Sequence, residues 1–126
     1  MDAGYSTRIQ ETGNNLIGKI MKINFKKDFV DCFGNPIEEK IKGNVEHISI
    51  DRRLAASLFS LSNVEGRPLN GDEKYMAYSI SCRMAQTPES VELTTEEASF
   101  LKKVCSELLS AGAYGQVYDL IEGNNN

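Results

Sequence analysis

Residues 91–109, VELTTEEASFLKKVCSELL, decide the fold class. Thr94 and Glu97 stand three apart ahead of an apolar run, the spacing of a capping box. In that motif the hydroxyl accepts a backbone N–H of the first turn and the carboxylate reaches back to the cap. Leu93 and Ala98 flank it as a hydrophobic staple, and Ala98, Leu101, Val104, Cys105, Leu108 and Leu109 recur at helical spacing. Lys102, Lys103, Ser106 and Glu107 fall outside that stripe. The pattern predicts an amphipathic helix over 94–110 whose one apolar face needs other elements packed against it.

Toward the C-terminus, Gly112 and its neighbours end this helix, and Tyr114 to Glu122 reads as a short last helix with Val117, Leu120 and Ile121 inward. Residues 124–126 are read as a frayed tail. Toward the N-terminus, residues 72–86 carry two signals. Met76, Tyr78, Ile80, Cys82 and Met84 alternate as in a strand, while the length, the caps offered by Asn70 or Asp72 and the stop at Pro88 suit a helix. Asn63 to Gly71 is a loop by composition, with Gly66, Pro68, Asn70 and Gly71. Before it, Asp51 is the expected N-cap of a helix with Leu54, Ala55, Leu58, Phe59 and Leu61 on one face, ending near Ser62.

The first third reads as β structure. Ile23 and Phe25 sit two apart, and a strand over Lys22 to Asp31 is expected to turn at Cys32-Phe33-Gly34-Asn35-Pro36 and return over Ile37 to Ile41. Asn44 to Ile50 is a third strand or the lead into the next helix. Residues 1–20 differ, with Gly4, Gly13, Gly18 and Asn14-Asn15 separating a weak apolar stripe of Ile9, Leu16, Ile17 and Ile20. They read as an extension or assembly arm ahead of a single domain over 21–123. The fold class is therefore α+β: an N-terminal β-hairpin packed against about four helices, with a mainly helical C-terminal half.

Composition narrows function by exclusion. A chain of 126 residues, 40% hydrophobic and 25% charged, is ordinary globular usage. Fourteen basic and 18 acidic side chains give a formal net charge of −4, with neither sign in a run longer than two, so nucleic acid is an unexpected main ligand. No stretch approaches the apolar length of a membrane span. Three widely spaced cysteines, Cys32, Cys82 and Cys105, read as free thiols of a reducing compartment rather than a disulfide framework.

Candidate chemistry is sparse. His47 is the only histidine, and no His or Cys stands near it at ligand spacing, so no metal or cofactor is expected. Cys105 lies on the apolar face of the best helix, whereas Cys32, beside a turn, is the thiol expected to be exposed. Glu38-Glu39 would point to opposite faces of a strand, and Glu96-Glu97 suit a helix first turn without any catalytic purpose. Phosphate-loop, dinucleotide, nucleophile-elbow and zinc-hydrolase motifs do not occur in the chain. The reading is a protein that is not an enzyme. The expected contacts are Tyr114 and Tyr118 at i, i+4, the basic pair Arg52 and Arg53, and Ile9, Leu16 and Ile17 of the extension. Lys26-Lys27 is the other adjacent basic pair, able with Arg52-Arg53 to meet a phosphate or an acidic partner. Tyr75, Tyr78 and Phe100 are further aromatics placed near the helical surface, although most of this set is expected in the core.

Met21-Lys22-Ile23-Asn24-Phe25, Glu73-Lys74-Tyr75, Val91 to Glu97, and Gly115-Gln116-Val117 with Leu120 and Glu122 form a layout that resembles small proteins of tailed bacteriophages and prophages. The resemblance spans residues 21–123 at the level of pattern. It departs in residues 1–20 and in a longer middle, Lys42 to Asn70, and its motifs name no chemistry. It implies that 72–86 is a helix and that the protein is a minor virion component or a head or tail assembly factor. Such a protein would reside in the host cytoplasm or the virion and bind another phage protein or a second copy of itself. The alternatives are a small antagonist of a host defence protein and a nucleic-acid-associated regulator.

Overall fold

The structure is a computed structural model and describes residues 20–123. Its first strand, β1 (Ile20–Ile23), opens at a residue that composition grouped with the extension. The chain then runs through an irregular segment to β2 (Glu38–Ile41) and β3 (Asn44–His47), followed by helix α1 (Ile50–Phe59). A small hairpin, β4 (Asn63–Val64) and β5 (Arg67–Pro68), leads to α2 (Gly71–Gln86). Strand β6 (Val91–Thr94), α3 (Thr95–Leu108) and α4 (Ala111–Glu122) complete the chain. The fold is α+β, with an N-terminal hairpin and a helical C-terminal half, as the sequence predicts.

The strand partners are not those expected. β1 pairs antiparallel with β6, from Ile20 opposite Thr94 to Ile23 opposite Val91. Alternation buries Ile23, Val91 and Leu93 and leaves Lys22 and Glu92 outside as a cross-strand pair 3.9 Å apart. The hairpin is β2–β3, turning at Lys42 and Gly43, both at positive φ (52° and 83°). Its strands lie in water on both faces, so period alone could not find it.

The turn over Cys32 to Pro36 does form. Asp31 N–H donates to the Asn35 carbonyl and Gly34 takes φ 87°, but only a single bridge, Val30 to Pro36, follows. A second anchor holds this segment: the Gln116 side chain accepts from Val30 N–H at 3.0 Å and donates to Val30 C=O at 2.8 Å, taking the place of a neighbouring strand.

Helix starts follow local chemistry. Thr94 and Glu97 form the capping box at α3, and Asn70 and Glu73 form another at α2. α1 begins earlier than expected. Ser49, not Asp51, is its N-cap, and no side chain bonds the first turn. Asp51 lies inside the helix, where its charge still favours the positive end of the dipole. α3 stops at Leu108, which is exposed rather than inward.

One core joins the elements: Phe25 from the segment after β1, Leu54 and Leu58 from α1, Ile80 and Met84 from α2, Val91 and Leu93 from β6, Leu101 from α3 and Val117 from α4. α1 and α2 lie side by side and antiparallel, which places their outer faces next to each other.

Candidate functional face on helices α1 and α2

The buried stripe of α1 is Ile50, Leu54 and Leu58, and that of α2 is Ala77, Ile80, Ser81 and Met84. Successive helical residues are about 100° apart, and on α1 Leu58 turns inward while Phe59 turns outward. Phe59 is 67% exposed, which corrects its assignment to the buried face of the helix. On α2 the same geometry turns Tyr75 (69% exposed) and Tyr78 (49%) into water. The three rings form one group: Phe59 and Tyr78 have centroids 6.1 Å apart, and Tyr75 and Tyr78 6.0 Å. The Tyr78 hydroxyl also faces the half-buried Cys82 sulfur, and donating to it favours the neutral phenol and pushes its pKa upward.

Beside the rings runs a groove of about 750 Å³ between the two helices. Small residues, Ala55, Ala56, Ser81, Cys82 and Ala85, form much of its wall, so another chain can come close to the helix backbones. Phe59 stands toward one end and Arg52 toward the other, level with Ala85 and Gln86.

The structure disperses the contact residues expected from the sequence. Tyr114 and Tyr118 are neighbours, centroids 5.9 Å apart, but Tyr114 packs partly buried against the core. Tyr118 lies beneath the Lys102 ammonium, 5.3 Å from the ring centre, and Lys102 is itself paired with Glu122, which raises the lysine's pKa. Phe100 is buried. Arg53 turns to Glu39 at 3.1 Å and ties α1 to the hairpin. Arg52 has no ion-pair partner among the described residues. Ile9, Leu16 and Ile17 lie outside the described residues.

Lys26, Lys27 and Arg52 gather around a hollow of about 420 Å³ at the start of α1. Asp28 and Asp51 line the same hollow, and Lys26 reaches Glu89 at 3.5 Å, so the patch is mixed in sign. His47 is held between two carboxylates, Nδ1 3.3 Å from Asp28 Oδ2 and Nε2 3.6 Å from Glu38 Oε2. Ser49, two residues on, has its hydroxyl buried and without a partner among the described residues. The His47 nitrogen that a serine nucleophile would need faces Glu38 instead, so this Ser–His–Asp trio lacks the geometry of a triad. It fastens the hairpin to the loop at Asp28.

Cys105 is buried, and burial pushes its thiol up to about 12. Cys32 is exposed. Among the described residues no three His, Cys, Asp or Glu side chains are arranged to hold a metal ion. No helix among them is long and apolar enough to cross a membrane. No family model, curated protein or solved structure matches the chain.

Proposed function

We propose that this chain is a non-enzymatic protein-interaction module of phage or prophage type, acting in virion assembly or structure, and that it meets its partner through the α1–α2 face. One observation carries the reading: Phe59, Tyr75 and Tyr78 stand together in water beside an apolar groove. Exposed apolar groups that cluster and adjoin a concave surface mark interaction sites, and aromatic side chains dominate binding energies once covered. The phage assignment rests on the resemblance over residues 21–123. The mixed hollow at Lys26, Lys27 and Arg52 offers no run of phosphate contacts, which disfavours a nucleic-acid regulator.

The test uses the full chain and a Phe59→Ser/Tyr75→Ser variant as baits in infected or induced host cells, with mass spectrometry of what co-purifies. Capture of capsid or tail proteins by the wild type, lost in the variant, is the expected result. Capture of one host protein, lost in the same way, would replace the assembly role by host antagonism. Identical capture by both baits would remove the face from the account.

A further inference from the structure

We infer that the α1–α2 groove takes an acidic amphipathic helix of another protein: an apolar stripe bracketed by carboxylates about three helical turns apart. The inference rests on the α1–α2 face being the interaction surface and adds the chemistry of its occupant. The middle of the face is uncharged and built from Ala55, Ala56, Cys82 and Ala85 with the three rings. Each end carries a cation without an ion-pair partner among the described residues, Arg52 standing next to Asp51. Arg52 lines the groove with Ala85 and Gln86, and Lys74, beyond the lining and four residues before Tyr78 on α2, shares the helix face of that ring. Seven other basic groups, by contrast, Lys22, Lys26, Arg53, Arg67, Arg83, Lys102 and Lys103, are each matched to a carboxylate.

Lys74 and Ala85 are eleven residues apart on α2, or about 16 Å at the rise of a helix. Eleven residues is also close to three full turns, so two carboxylates at that spacing on a partner helix share one face with the apolar stripe between them. A second copy of the chain fits less well. Pairing two such faces would bring both Arg52 and both Lys74 side chains together. The one carboxylate lining the groove, Asp51, has an oxygen buried at the start of α1.

A synthetic peptide of about 18 residues, long enough to hold a helix, is the probe: leucines and alanines on one face, with two glutamates eleven positions apart. A control peptide carries lysines at those two positions. Each is titrated into the isotope-labelled full-length chain while backbone amide shifts are followed. The glutamate peptide should bind saturably with shifts confined to residues 52–60 and 74–86, and the lysine peptide about tenfold more weakly. An Arg52→Glu/Lys74→Glu variant, folded by circular dichroism, should reverse that preference.

Equal binding of both peptides, shifts centred elsewhere, or no saturation up to about 1 mM would overturn the inference. So would sedimentation showing a dimer that is dispersed by Phe59→Ser, because the occupant would then be a second copy. The capture experiment with Phe59→Ser/Tyr75→Ser reads the α1–α2 face itself, so loss of capture without glutamate-peptide binding would retire the acidic helix and leave the face standing.

Discussion

Two groups of aromatic side chains have nearly the same local spacing and different surroundings: Tyr114 packs partly buried and Tyr118 is 40% exposed, while Tyr75 and Tyr78 are 69% and 49% exposed. Tyr114 and Tyr118 are four apart on α4, and Tyr75 and Tyr78 three apart on α2. The first pair is covered in part by α3, from which Lys102 reaches over Tyr118 and pairs with Glu122. The second pair, joined by Phe59 from α1, has no such cover among the described residues. Spacing along a helix therefore names which residues share a strip, while the neighbouring helix decides whether that strip is wall or surface. On that ground the proposed interaction surface lies on α1–α2 rather than α4.

Thiol chemistry gives the widest contrast between the covered and uncovered regions. In the native protein Cys32 should react with an aromatic disulfide reagent at once, Cys82 more slowly, and Cys105 only as fast as the protein unfolds. Burial holds the Cys105 thiol near 12 and shields it. Labelling followed by mass spectrometry reads the order. Fast native labelling of Cys105 would mean that the region beneath α3 opens readily.

Gln116→Ala should produce the largest change in stability. It strips both backbone groups of Val30 of their partner, at about 1–3 kcal/mol by chemical denaturation. Tyr114→Ala, on the covered side, should cost about 2 kcal/mol, whereas Tyr75→Ala on the open face should stay within about 0.5 kcal/mol. Equal costs would erase the distinction between wall and surface.

A smaller, acid-dependent effect belongs to the start of α2. Glu73 accepts two bonds from Arg67, each at 2.8 Å, and the backbone of Asn70 donates to it as well. The guanidinium beside it lowers its pKa to about 2 from the model-compound 4.5. Between those values the unfolded chain takes up the proton first, so this contribution is present above about 4.5 and is lost as pH falls toward 2. Glu97, lowered by Arg83, adds to the same trend. A Glu73→Gln variant should show a shallower acid loss of urea stability than the wild type. An unchanged slope would assign the acid sensitivity to other carboxylates.

The smallest expected change is a gain. Lys42 adopts φ 52° in the β2–β3 turn, where Asn before Gly is better suited, so Lys42→Asn should raise stability by about 0.5 kcal/mol in thermal unfolding.

Helix α3 was legible to within two residues because its cap and its apolar stripe are both local. The α2 helix was harder, since Met76, Tyr78, Ile80, Cys82 and Met84 alternate as well as they spiral. Its Asn70–Glu73 capping box was the signal that separates the two readings. The β1–β6 pair joins residues about seventy positions apart, and no local feature of Ile20–Ile23 names Val91–Thr94 as its partner. The α1–α2 face left no trace in the sequence: Leu58 and Phe59 are adjacent, but so are Val104 and Cys105, which are both buried, so adjacency alone does not say which neighbour turns outward.

By itself, then, the sequence determined the α+β class, the cap of α3, the inward residues Val117, Leu120 and Ile121 of α4, and the turn at Cys32 to Pro36, because each depends on residues within a turn or two of one another. The start of α4 at Ala111, with Gly112 inside the helix, was not legible there. The tertiary structure alone decided which strands pair, which carboxylates claim Arg53, Arg67 and Arg83, and which aromatic rings stay in water. Those outcomes depend on where helices of fixed shape come to rest against one another, and that arrangement is a property of the whole core rather than of any segment.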